Sequence, residues 1–149
     1  MKIWVDADAC PVVVREILCK AAERTQTLTL FVANRYTKLP GSPFLQSIVV
    51  EKGFDIADHK IAEECQEGDL VITSDIPLAD EVVTKKVHAL NPRGELYTKE
   101  NIKQRLNMRD FMDTLRASGM ETSKTAAYSQ KDKQAFANQL DRLLAQKPR

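Results

Sequence analysis

Five short apolar runs, set between helical and turn signals, restrict this chain to very few architectures. They are Ile3 to Val5, Leu28 to Ala33, Ile48 to Val50, Leu70 to Thr73 and Val87 to Leu90, rich in the β-branched and aliphatic residues that suit strands. Between them, Pro11 suits a first helical turn, where its missing N–H costs nothing, and Val12 to Glu23 reads as a helix. Asn34 to Pro43, with Pro40-Gly41, reads as a loop. Asp58 is placed to cap a short helix, His59 to Gln66, that Gly68 ends. Pro77 marks another helix, running to about Lys86, and Asn91-Pro92-Arg93-Gly94 is a turn. Strands and helices that take turns in this way pair in parallel, with helices on both faces of the sheet. The expected fold class is therefore α/β, with a mainly parallel sheet of about five strands.

The remaining third of the chain is helical in pattern. Thr98 can cap a helix from Lys99 to Ser118 that Gly119 ends, with Ile102 and Leu106 on one stripe and Met108, Phe111, Met112 and Leu115 on another. Residues 120–130 are polar and poor in large apolar groups, which predicts a mobile linker. Ser129 then caps a last helix whose Phe136, Leu140, Leu143 and Leu144 follow the spacing of one buried face. The expected organisation is an α/β domain over 1–119, the linker over 120–130 and a helix over 131–149 packed on the same domain.

With 149 residues and 43% hydrophobic content, the chain can bury one proper core. No stretch approaches the roughly 20 apolar residues of a membrane span, and Met1-Lys2-Ile3-Trp4-Val5-Asp6 brings charge where a signal peptide needs an apolar run. A soluble, cytoplasmic protein is expected. Cys10, Cys19 and Cys65 have none of the close paired spacing of zinc sites, and an odd number argues against structural disulfides. The net charge of +1 conceals an imbalance: residues 1–80 carry 8 Lys/Arg against 13 Asp/Glu, and residues 81–149 carry 14 against 8. Such a division suits a cation site beside a polyanion, and equally two solvated surfaces.

Four aspartates carry the chemistry. Asp6 and Asp8 follow the first strand, Asp75 follows Leu70 to Thr73, and Asp58 lies beyond Gly53-Phe54. The carboxyl ends of strands in an open α/β sheet line one crevice, so carboxylates far apart in sequence can converge there. Two unpaired carboxylates about 4 Å apart repel by roughly 4 kcal/mol at an effective dielectric near 20, so a cluster must take up protons or a cation. All-oxygen ligation points to magnesium or manganese, completed by waters and substrate phosphate. Each acid also has an ordinary use: Asp8 can bond the turn into the next helix, Asp58 and Asp75 can cap helices, Asp69 can serve its turn, and Asp80 can face solvent. Arg93, Arg109 and Arg116 are candidate phosphate contacts, the last two seven residues apart on one helix face or else paired with Asp110 or Asp113. Trp4 and Tyr97 can stack on bases, and Trp4 can instead fill the core.

These residues also form a recognisable pattern. V-D-A-D-A-C-P at Val5 to Pro11, G-F-D-x-A-D at Gly53 to Asp58, G-D-L-V-I-T-x-D-I-P-L-A at Gly68 to Ala79, N-P-R-G-x-x-Y-T at Asn91 to Thr98, and the run from Met108 to Gly119 together resemble the YaiI/YqxD family of uncharacterised bacterial proteins. That family is placed by similarity with PIN-like domains, so the resemblance implies a three-layer α/β/α sandwich and, in active members, a metal-dependent ribonuclease. Position by position, it implies that Asp6 is the carboxylate after the first strand and Asp75 the one in the T-x-D segment, with Asp58 at a central acidic position. Asp8 belongs to the YaiI/YqxD pattern alone.

Three functions of different class follow. The first is a phosphodiesterase or nuclease, with Asp6 and Asp75 catalytic, Asp6, Asp8, Asp58 and Asp75 holding Mg2+ or Mn2+, and RNA as partner. Another is a non-catalytic RNA- or protein-binding domain that retains the acidic pocket. The last is a phosphomonoesterase, because Asp6-Ala7-Asp8 imitates a D-x-D motif with a nucleophilic aspartate; Cys10 stands where that pattern has Thr or Val. Cys10 with Arg15 is one residue short of a cysteine-phosphatase loop and lacks its glycines.

Overall fold

The structure, a computed structural model, describes residues 1–53, 56–104 and 127–146. Strands β1 (Ile3–Asp6), β2 (Thr29–Ala33), β3 (Leu45–Val49), β4 (Leu70–Ile72) and β5 (His88–Leu90) form one sheet in the order β3-β2-β1-β4-β5. Every pairing within it is parallel. The helices are α1 (Val12–Thr25), α2 (Ile56–Glu64), α3 (Ile76–Thr84), α4 (helical over 99–104) and α5 (Gln130–Ala145), with a 3-10 turn, Ala7–Ala9, between β1 and α1.

Period-two alternation in the strands sorts the core into two layers. Ile3, Val5, Phe31, Ile72 and Leu90 join Val14 and Leu18 of α1 and Phe136 and Leu140 of α5 on one face. Trp4, Leu30, Val32, Val71 and Ala89 join Ile61 of α2, Leu78 and Val82 of α3, and Ile102 of α4 on the other. Burial is unbroken along β1, β2 and β4, as a parallel sheet covered on both sides requires. Each fully buried Leu, Ile or Phe contributes roughly 1.5–3 kcal/mol, so α5 is held by its apolar stripe. Its surface ion pair, Arg24 to Asp141 at 2.7 Å, has both side chains about 60% exposed and adds little.

Local signals placed most element ends correctly, with two instructive shifts. The third strand starts at Leu45 rather than Ile48, because pairing with β2 runs from Thr29↔Leu45 and buries Leu45 in the core. Helix α2 begins at Ile56, so Asp58 lies inside its first turn instead of capping it, where the helix dipole still favours a carboxylate. Thr98 caps α4 as expected, accepting from Asn101 N–H at 3.1 Å. Ser129 and Asp132 form a reciprocal capping box on α5, so the expected linker ends in a helix cap and the first helical residue, Gln130. Residues 120–126 of that linker, the helix beyond 104 and the helix stripe at Met108 to Leu115 lie outside the described residues.

The turn after β5 locks α5 to the sheet. Gly94 has φ +91°, and a Cβ there would sit 2.5 Å from the Ala135 carbonyl carbon, so neither the backbone angle nor the space admits a side chain. Tyr128 donates its hydroxyl to Pro92 O at 2.9 Å. The N-terminus of α5 therefore meets the carboxyl end of the sheet, as does that of α1. Among the described residues no helix is long and apolar enough to cross a membrane.

Candidate functional site

From β1 the chain moves outward through β2 and β3 on one side, then returns to place β4 and β5 on the other. Strand order thus reverses between β1 and β4, and the crevice outside the carboxyl ends of those two strands is where open α/β sheets bind ligands. Asp6 is the last residue of β1, and Asp75 comes three residues after β4 ends at Ile72. Alternation puts Asp6 on the Trp4 side of the sheet, the side that α3 covers.

One hydroxyl joins the Asp6 carboxylate to the Asp75 backbone. Thr73 Oγ1 donates to Asp6 Oδ2 at 3.1 Å and accepts the Asp75 N–H at 3.0 Å. Thr73 is itself buried and continues the ladder, its N–H reaching Leu90 O at 3.1 Å. Asp75 Oδ1 accepts from Leu78 N at 2.9 Å and so caps α3, which has Pro77 in its first turn. The capping bond fixes the Asp75 rotamer and commits one of its two oxygens.

The other oxygens are unclaimed. Asp6 Oδ1 and Asp75 Oδ2 accept no hydrogen bond and pair with no cation among the described residues. No buried side-chain nitrogen or oxygen among them lacks a partner, so the second Asp6 oxygen reaches solvent although the residue is only 9% exposed. Burial raises the Asp6 carboxyl above its usual range; the Thr73 hydrogen bond opposes this, while the charges of Asp75 and Asp8 add to it. These carboxylates therefore feel one another across the crevice.

The other expected site residues are distributed differently. Asp8, exposed in the 3-10 turn, accepts from Asn34 N at 3.1 Å and ties β1's exit to β2's, rather than bonding the turn into α1. Asp58 lies half-buried in the first turn of α2. Arg93 is committed elsewhere: its Nη1 donates to Asp132 Oδ2 at 2.9 Å and its guanidinium lies 5.9 Å from the Tyr128 ring centre. Asp132 sits below its usual carboxylate range because Ser129 N–H, the Ser129 hydroxyl and Arg93 stabilise its charge. Arg109 and Arg116 lie outside the described residues. Asp80 is exposed on α3.

Three further residues are settled by burial. Tyr97 is 4% exposed with its hydroxyl accepting from Asn91 Nδ2, and Trp4 is 4% exposed with its indole donating to Asp69, so neither ring is open for base stacking. Cys10 has its thiol pushed up to about 12, chiefly by burial, with Arg15 only partly compensating. A thiol of that acidity is protonated at neutral pH and is no phosphatase nucleophile. Thr73 escaped sequence reasoning because a threonine ending an apolar run reads as strand; the visible clue was a hydroxyl two residues before a carboxylate.

Among the described residues no group of three or more His, Cys, Asp or Glu side chains is arranged to hold a metal ion. The acids at the crevice nevertheless suit a hard divalent cation of magnesium type, which one or two carboxylates hold when waters and substrate phosphates complete the shell.

The chain matches the family described as "Uncharacterized BCR, YaiI/YqxD family" over residues 4–146. It is 62% identical over 149 residues to a UPF0178 protein of Shewanella amazonensis, covering 100% of both chains. It is 63% identical over 147 residues to one of Thioalkalivibrio sulfidiphilus, covering 99% of this chain and 100% of the other. To one of Vibrio cholerae it is 60% identical over 147 residues, covering 99% of each. No solved structure matches.

Proposed function

The chain belongs to the YaiI/YqxD family, and on that footing we propose that it is a divalent-metal-dependent phosphodiesterase whose substrate is RNA. One observation carries the reading: at the point where strand order reverses, the Thr73 hydroxyl ties the Asp6 carboxylate to the Asp75 backbone N–H, and each aspartate keeps a carboxylate oxygen that no described residue claims. Ionised together without a counterion, they would repel. A divalent cation held by the two would remove that repulsion.

In this reading Asp6 and Asp75 would hold the ion, and Asp8 would add negative charge at the rim. When bound, magnesium or manganese supplies Lewis-acid stabilisation of charge on a phosphoryl group and makes a water more acidic. Thr73 is a positioning residue: its hydroxyl favours the ionised form of Asp6 and offsets part of the burial that favours protonation. The Asp75 capping bond keeps that side chain from swinging away. No nucleophilic side chain is needed, in keeping with a protonated Cys10.

The test is hydrolysis of labelled RNA with manganese. Activity is expected in the wild type and lost at least 100-fold in Asp6→Asn and Asp75→Asn, both of which keep their local hydrogen bonds because Asn also accepts and caps. Hydrolysis that survives both substitutions, or that proceeds equally well in a chelator, would overturn the proposal. Trapping of an aspartyl-phosphate on Asp6 would replace it with the phosphomonoesterase reading.

A further inference from the structure

The carboxyl end of the sheet also carries a region of the opposite charge. A cleft of about 280 Å3 opens between the first half of α1 and the loop after β2, walled by Val12, Arg15, Glu16, Lys20, Lys38 and Pro40. Arg15, Lys20 and Lys38 form no ion pair among the described residues, and Glu16 is the acid on the wall. Residues 1–80 are acid-rich, with 8 Lys/Arg against 13 Asp/Glu, so three cations on one cleft run against the local balance. In the same loop Arg35 is exposed and Tyr36 is 73% exposed. Unpaired cations beside an outward aromatic ring are the parts that bind single-stranded nucleic acid: charges follow the phosphates, and a base stacks on the ring.

Local structure keeps this surface in place. Asn34 N–H donates to Asp8 Oδ2 at 3.1 Å, and Thr37 N–H donates to Ser47 Oγ at 3.0 Å. Thr37 is buried and Leu39 packs against the core, so the loop presents Tyr36 and Lys38 outward from pinned neighbours. The cleft opens at the same end of the sheet as the acidic crevice, since α1 follows Asp6 after the 3-10 turn and the loop is bonded to Asp8. Helix α1 starts with no side-chain cap and no acid in its first turn, which leaves its positive end uncompensated there.

We propose that this cleft is the track along which single-stranded RNA runs toward the Asp6 and Asp75 crevice, with Arg15, Lys20 and Lys38 on phosphates and Tyr36 stacked on a base. The destination of the strand rests on the phosphodiesterase reading; its binding does not.

Fluorescence anisotropy of a labelled single-stranded oligoribonucleotide, titrated with the full chain in EDTA across a range of salt, tests it. Each phosphate contact to a single strand contributes about −0.7 to the slope of log affinity against log salt, so Arg15→Gln/Lys20→Gln/Lys38→Gln is expected to flatten that slope by about 2. The same triple variant should bind at least tenfold more weakly at low salt. Tyr36→Ala is expected to weaken binding about fivefold or more with the slope unchanged. Lys86→Gln, at the amino end of the sheet beside Gly68, should alter neither. A wild type that does not bind, or a folded triple variant with wild-type affinity and slope, overturns the inference. Binding that the triple variant loses and Asp75→Asn keeps upholds it even where no RNA is cleaved, and in that case the phosphodiesterase proposal fails alone.

Discussion

Asp6 and Asp69 are both buried carboxylates, at opposite ends of the central strands, and they are treated in opposite ways. Asp69 accepts three N–H groups: Lys2 N at 3.0 Å, Trp4 Nε1 at 3.2 Å and Gln66 N at 3.0 Å. Its donors come from β1's start, from the core tryptophan and from the turn before β4, so it staples the amino end of the sheet. Asp6 accepts one hydroxyl, faces two like charges and keeps an oxygen toward solvent. A satisfied buried acid serves stability, whereas one left partly unsatisfied next to others costs stability and is held in readiness for a positive ligand.

Removing each acid should break this contrast in opposite senses. Asp69→Ala leaves three donors without their acceptor, and at about 1–3 kcal/mol for each buried orphan the expected loss is about 3 kcal/mol or more in urea denaturation. A loss below 1 kcal/mol would show that Asp69 is replaceable by water. The next largest effect is gained rather than lost. Magnesium or manganese at a hundred times its dissociation constant should stabilise the wild type by about 2.7 kcal/mol, while Asp75→Asn and Asp69-intact Asp6→Asn proteins melt at the same temperature with or without metal. Equal metal-induced shifts in all three would sink the cation site.

Smaller effects sharpen the comparison through pH. Because the folded Asp6 carboxyl titrates above its ordinary value of 3.8, the native state retains a proton that the unfolded state has already released. Stability therefore falls as pH rises through that interval and stays reduced above it. Asp6→Asn has no proton to lose, so without metal it should melt a few degrees above wild type near pH 7.5, the gap closing as the pH approaches about 4. A gap that persists unchanged in acid would assign the gain to packing. Thr73→Val should give the finest readout: losing the hydrogen bond that favours ionised Asp6 moves the pH midpoint of metal-induced stabilisation upward, with the metal effect recovered at higher pH. An unmoved midpoint would leave Thr73 a strand residue and nothing more.

Much of this is legible in the sequence alone, and the reasons are local. Pro11 and Pro77 at helix starts, Thr98 and Ser129 as caps, and the Phe136, Leu140, Leu143, Leu144 stripe each act within one or two turns, so their meaning survives without knowledge of the fold. The family pattern was visible too, in motifs spread over nearly the whole chain. Arg93 misled because a Pro-Arg-Gly turn looks exposed in sequence, whereas α5 packs onto it and brings Asp132 within 2.9 Å. Tyr97 misled similarly, since aromatic content says nothing about which side of a turn faces the core.

The chain by itself determined the α/β class, the helix caps and the presence of acids after the first and fourth strands. Tertiary structure alone decided that Asp6 and Asp75, with Thr73 between them, meet at one end of the sheet while Asp69 staples the other. Strand order is the physical reason. Periodicity and capping report interactions a few residues long, but the contact between Asp6 and Thr73 spans 67 residues and exists only because β4 docks against β1 on the side that β2 leaves open.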